Sequence, residues 1–200
     1  MWKKFWDLLW KDNSWKGWAF SIIFIFIFIK FIFFPLLSLA TGTILPLAIV
    51  ESCSMYHEGN LLSSPTNWWD NHNTNYLTYG ISKNKFGSFA FKKGFNKGDI
   101  LFVLGANPDK LKVGDVIIFE ANYTNPLIHR IVKISEKEGR KVFSTLGDNN
   151  EGQLTVEKEI TEEQLIGRAV FRIAPYLGWT KLLFFERLRP KAQRGLCKGN

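Results

Sequence analysis

The run WAFSIIFIFIFIKFIFFPLLSL at residues 18–39 decides the architecture. About 20 apolar residues are enough to cross the hydrocarbon of a bilayer. Lys30 is the one charge inside the run. A central Lys costs about 2.5–3.5 kcal/mol on the insertion scale, while each Phe or Ile contributes about −0.3 to −0.6 kcal/mol. Twelve Phe and Ile residues lie between Ile22 and Phe34. Together they contribute roughly −4 to −7 kcal/mol, and Lys30 can snorkel, so insertion wins. A cleavable signal peptide has an apolar region of only about 7–15 residues, so the run reads as a retained anchor even though Ser38-Leu39-Ala40 offers small residues.

Working outward, residues 1–17 form an interfacial amphipathic segment. Trp2, Phe5, Trp6, Leu9 and Trp10 fall at helical spacing on one face, and tryptophans sit well at headgroup level. Residues 18–40 are the transmembrane helix. Lys3, Lys4, Lys11 and Lys16 precede it, which places the N-terminus in the cytoplasm and everything after Ala40 outside, a single-pass cell-membrane topology.

The formal charge of +8 is unevenly spread. Residues 31–167 hold thirteen Lys or Arg against fifteen Asp or Glu, whereas residues 168–200 hold eight against Glu186 alone. A near-neutral body with basic ends favours membrane lipid as a partner and argues against nucleic acid, which would need a basic stripe across the body. Of the two cysteines, Cys53 lies next to Ser54 and Cys197 in the terminal tail, and a pair so placed does not look like a disulfide framework.

Residues 41–178 read as a mainly β extracytoplasmic domain. Short apolar runs at 44–50, 100–104, 116–119, 127–134, 142–146 and 165–171 are bounded by Gly, Pro, Asn and Asp, the pattern of buried strands. The runs 127–134 and 142–146 form a hairpin across Glu136-Lys137-Glu138-Gly139. An insertion at about 59–97 is rich in Asn, Ser, Gly and aromatics and reads as a surface hairpin with its own small aromatic cluster, or as a flap that dips into the membrane. Asp99 and Asp115 each follow a Gly at a strand start, which turn chemistry explains. His57 and His72 have no Cys or acid cluster at zinc spacing, so neither a metal nor a cofactor is expected. Asn122-Tyr123-Thr124 fits a glycosylation sequon. The four acids between Glu157 and Glu163 read as a solvated face. Residues 179–200 read as a basic membrane-surface tail with a frayed end.

Four short motifs carry the chemistry in order: Ser52-Cys53-Ser54-Met55, Lys97-Gly98-Asp99, Ile128-His129-Arg130 and Gly147-Asp148-Asn149-Asn150. A serine attacks a carbonyl only with a base to take its proton and donors to hold the oxyanion. Over residues 44–178 the set resembles the type I signal peptidase family, in the archaeal and endoplasmic-reticulum branch where histidine replaces the lysine base. The resemblance implies a signal-peptidase-like β-fold catalytic domain behind one N-terminal transmembrane helix. It implies a Ser-His endopeptidase that removes signal peptides from secretory preproteins, working beside the translocation machinery.

The roles that follow are Ser54 as nucleophile, His129 as general base, Asp148 as the acid that orients the imidazole, and Ser52 beside the Ser54 N–H in the oxyanion hole. Cys53 is the rival nucleophile and Arg130 an ion-pair partner. Relatives in this branch carry a further Asp beyond the Gly-Asp-Asn-Asn motif, where this chain has Leu154. Either Asp148 or Glu151 therefore supplies the orienting carboxylate. The competing class is an inactive accessory subunit that only binds; a third reading is a protease of other membrane or surface precursors.

Overall fold

The computed structural model describes residues 2–58 and 66–198. The chain divides into two compact units, Met1–Gly42 and Thr43–Asn200.

The first unit is helical. Helix α1 (Trp2–Trp10) turns back on α2 (Trp15–Phe28), and Phe5 packs edge-on against Phe20 and Phe24 at 5.7 and 5.4 Å. Ser14 caps α2 by accepting from the Gly17 N–H. Only glycine fits at 17, because a Cβ there would lie 2.4 Å from the Asp12 carbonyl oxygen. A π-helical turn, Ile29–Phe33, joins α2 to α3 (Phe34–Thr41). The continuous helix Trp15–Thr41 is long and apolar enough to cross a membrane. It ends at Gly42, whose left-handed φ of 67° closes the C-terminus with an N–H bond to Ser38.

The second unit is a six-stranded antiparallel sheet in the order β1-β2-β6-β3-β4-β5. Its strands are β1 (Leu47–Ile49), β2 (Ile100–Leu104), β3 (Val116–Phe119), β4 (Leu127–Lys137), β5 (Arg140–Leu146) and β6 (Leu165–Ala174). Every expected apolar run became a strand, so the mainly β reading holds. The β4–β5 hairpin turns on Glu138-Gly139, both at positive φ, as a two-residue loop matching strand twist requires.

Strand β3 is buried on both faces. Val116 and Ile118 join Ala48, Leu101, Val103 and Ala169 in one core; Ile117 and Phe119 join Ile131, Phe143 and Ile160 in the other. The sheet thus has hydrophobic layers on both sides, which fixes the register of each strand that passes between them.

The insertion departs from expectation. Its described part is helical: α4 (Thr66–Leu77) and α5 (Lys83–Gly87). Residues 59–65 lie outside the described residues. Trp68, Trp69, His72 and Tyr76 have helical spacing, and Trp68, Trp69, Tyr76, Ile81 and Phe86 pack on Val132 and Leu146 of the sheet. The polar Asn residues between them hid that period. The aromatic cluster is therefore part of the core rather than an outlying patch.

The C-terminal tail is also tied down. Helix α6 (Trp179–Phe185) buries Leu182, and a Cys53–Cys197 disulfide with Cα atoms 5.5 Å apart clamps the end of the chain. Sequence separation of 144 residues made this pairing invisible to spacing rules; the fold brings the two cysteines into bonding range.

Candidate active site

Ser54 lies in the loop after β1, and that loop is held from three directions. The Gly98 N–H donates to the Val50 carbonyl (2.8 Å), the Phe95 N–H to the Met55 carbonyl (2.8 Å), and the Asn149 N–H to the Ser54 carbonyl (2.7 Å). Asn149 Nδ2 also donates to the Cys53 carbonyl at 3.2 Å. Met55 is buried, packing the loop onto the core. Motifs far apart in sequence thus meet at the backbone around one serine.

His129 comes from β4, where it pairs with Ile117 of the fully buried β3. Its Nε2 is 2.9 Å from Ser54 Oγ. Its Nδ1 is 2.5 Å from Oε1 of Glu157, a fully buried carboxylate at the end of the short 3-10 turn Thr155–Glu157. Thr145 Oγ1 donates to the same Oε1 at 3.1 Å, and the Leu154 N–H donates to Oε2 at 2.8 Å. A carboxylate so surrounded by donors accepts from Nδ1–H, which leaves Nε2 with its lone pair toward Ser54. Gly147 permits this approach: a Cβ there would lie 2.9 Å from His129 Nε2 and 2.6 Å from Asn150 Nδ2. Ser52 Oγ lies 3.1 Å from Ser54 Oγ.

The structure places Asp148 in a different network, a departure from the expectation that it orients His129. Arg130 grips it with Nε at 2.9 Å and Nη2 at 2.7 Å, Tyr76 donates its hydroxyl at 2.6 Å, and His57 Nε2 lies at 2.8 Å. All four side chains are buried. Burial alone would raise the Asp148 pKa, but the Arg130 charge and the His57 hydrogen bond hold it well below the usual carboxylate range. Burial pushes His57 the other way, below the ordinary histidine value, against the pull of Asp148. His57 stacks on Trp68 with ring centroids 3.6 Å apart. The remaining Arg130 hydrogens reach the carbonyls of Ala90, Phe91 and Gly114. Glu151 is exposed.

Sequence reasoning missed Glu157 because it lies among four acids that look solvated. The available signal was apolar: Val156 packs against a core, and Ile160 bridges Phe143 of β5. That folds the acid segment back over the sheet and turns Glu157 inward. Cys53 is engaged in the disulfide, which removes it as a nucleophile. Asp99 is a structural acid, accepting from the Asn96 and Tyr176 backbone N–H groups and from Arg172. Asp115 likewise accepts from the Lys112 N–H, the turn chemistry expected of it. Among the described residues no cluster of His, Cys, Asp and Glu could hold a metal ion.

A cleft of 330 Å³ opens beside Ser54, lined by Ala48, Val50, Phe95, Ile118 and Ile128 among others. Its apolar wall and a Ser-His-Glu line at one end suit a polypeptide bond presented in extended form.

Comparison with known proteins points the same way. No family model matches the chain. The chain is 30% identical over 107 residues to the human signal peptidase complex catalytic subunit SEC11C, covering 48% of this chain and 53% of the relative. It is 32% identical over 108 residues to the signal peptidase complex catalytic subunit SEC11 of Lachancea thermotolerans, covering 50% and 63%. The Candida tropicalis subunit SEC11 is 29% identical over 108 residues, covering 50% and 64%. The chain thus spans about half the length of the curated relatives it matches. In its antiparallel sheet, in the apolar N-terminal helix among the described residues and in sequence over about half its length, the chain is similar to the catalytic subunits of signal peptidase complexes.

Proposed function

We propose that the protein is a membrane-bound serine endopeptidase that removes signal peptides from secretory preproteins. The observation that carries this reading is the line Ser54–His129–Glu157, with contacts of 2.9 and 2.5 Å. Ser54 Oγ attacks the scissile carbonyl while His129 Nε2 takes its proton, then returns it to the leaving amine; water repeats the sequence to release the acyl group. Glu157 keeps Nδ1 protonated and stabilises the imidazolium that forms. The Ser54 N–H and the Ser52 hydroxyl are the oxyanion donors.

Asp148 acts one layer back. Held by Arg130, it fixes the segment whose Asn149 N–H anchors the Ser54 carbonyl. The helix Trp15–Thr41 anchors the protein in the cell membrane with its N-terminus inside and the Ser54 domain outside, in contact with lipid, the translocation machinery and the other subunits of a complex. The proposed domains are the interfacial segment 1–17, the span 18–40, the catalytic domain 41–178 and the basic tail from 179.

The test is a labelled preprotein incubated with the detergent-solubilised full chain. Wild type should release the signal peptide at a single bond after a small residue, and Ser54→Ala should release none. Equal cleavage by both proteins would remove the peptidase reading, and cleavage at unrelated bonds would reassign the substrate class.

A further inference from the structure

The disulfide ties the tail down beside Ser54. Ser54 lies between two depressions that share Glu51, Ser52 and Ser54 itself. One is the largely apolar cleft described above, whose lining cations Lys181 and Arg189 are both paired with Glu51. The other, of 590 Å³, is lined by Asn149 and Asn150 and by Lys191, Arg194 and Lys198 of the tail. Both depressions are lined by Ser54, so a polypeptide bound at that serine has the two of them within reach.

Three attachments make this second wall a built feature. The disulfide joins Cys197 to Cys53, the residue before Ser54. The buried Lys97 ammonium donates to the Glu186 carboxylate at 2.5 Å and to the carbonyls of Gln193 at 2.8 Å and Gly195 at 3.2 Å. Arg189 donates to the Glu51 carboxylate at 2.6 Å.

The wall is also left cationic. Glu51, the acid that lines the groove, is occupied by Arg189, by Lys181 at 3.2 Å and by Asn125 at 3.0 Å. Arg194 donates to the carbonyls of Arg189 and Arg187, which fixes its guanidinium without neutralising it. Among the described residues no salt bridge reaches Lys191, Arg194 or Lys198. Fixed charges of one sign beside a reacting centre favour the opposite sign in the substrate chain.

We propose that the C-terminal tail is a specificity element, which selects substrates carrying acidic residues directly after the scissile bond. This rests on the peptidase reading for its orientation: the apolar cleft takes the signal-peptide side, so the cationic groove takes the side that follows.

The experiment uses the full chain in neutral detergent micelles and two matched fluorogenic peptides, with Asp-Glu or Asn-Gln after the bond. Exposed pairs are each worth only a small factor, so the acidic peptide should be preferred about 3- to 10-fold in kcat/KM. The ratio should fall toward one in Lys191→Gln/Arg194→Gln/Lys198→Gln, at raised salt, and after reduction of the disulfide. A thermal melt checks that the triple variant is folded. Binding of the same peptides to full-chain Ser54→Ala, read by fluorescence anisotropy, separates the two ideas. Acid-selective binding without turnover in wild type sinks the peptidase reading and supports the groove assignment. Equal binding and turnover of the two peptides overturns the groove assignment. So does a preference that survives the triple variant, or one that appears only when anionic lipid is added, which would make the tail a lipid contact.

Discussion

Two buried histidine–carboxylate pairs occur in this protein and do opposite things. His129 pairs through Nδ1 with Glu157 and offers Nε2 to Ser54. His57 pairs through Nε2 with Asp148, and its Nδ1 has no partner among the described residues. The difference lies in the third group. Glu157 is surrounded by neutral donors, Thr145 and the Leu154 N–H, so its charge is available to an imidazolium. Asp148 is gripped by Arg130, which consumes that charge. A histidine beside a carboxylate is thus poised for proton transfer only when no cation competes for the acid and a hydroxyl faces its free nitrogen.

The contrast can be broken residue by residue. Ser54→Ala should remove turnover altogether, to at least the 10⁴-fold or greater loss expected of a missing nucleophile, while leaving the melting temperature near wild type; preprotein cleavage and a thermal melt check both. Glu157→Gln should come next. It keeps the shape but lets the imidazole take the wrong tautomer, at a cost of about 10³- to 10⁴-fold in kcat. If single-turnover kinetics show Glu157→Gln near wild type and Asp148→Asn crippled without loss of stability, the assignment of the two acids reverses.

Asp148→Asn should act on stability instead. It leaves Arg130 buried and unpaired, which costs about 3–5 kcal/mol, visible in denaturant titration before any change in chemistry. Gly147→Ala sharpens the catalytic side. Its Cβ would crowd His129 Nε2, and displacing the base by a fraction of an ångström should lower kcat by about 10²-fold with the fold intact. An unchanged kcat would show that Asn150 and the loop yield instead.

The smallest effect expected concerns His57. Its pKa is depressed by burial, so the unfolded chain binds a proton more readily than the folded one. Folding stability should therefore fall as pH drops through the ordinary histidine value near 6.5. The His57→Gln variant should show a flatter dependence over that window; an unchanged slope would place the titrating group elsewhere.

Much of this was legible in the sequence. The apolar helix stands on composition, because insertion into hydrocarbon depends on summed transfer energies that need no partner. The strands stand on short apolar runs between turn formers, a local signal that β2 to β6 all carried. Ser54 and His129 were found because each sits in a short motif, and order along the chain links them. The α4 helix was missed because its buried residues are interleaved with Asn, so burial there follows from docking on Val132 and Leu146.

The sequence by itself determined the apolar helix, the sheet and the Ser54 and His129 side chains that we propose react. Only the tertiary structure decided which acid serves His129, that the insertion roofs the Asp148–Arg130 pair, and that the tail returns to Cys53. Each of these depends on which charges and thiols become neighbours after folding. Coulomb attraction and disulfide geometry act over a few ångströms, and a sequence separation of 28 residues for His129–Glu157 or 144 for the disulfide says nothing about that distance.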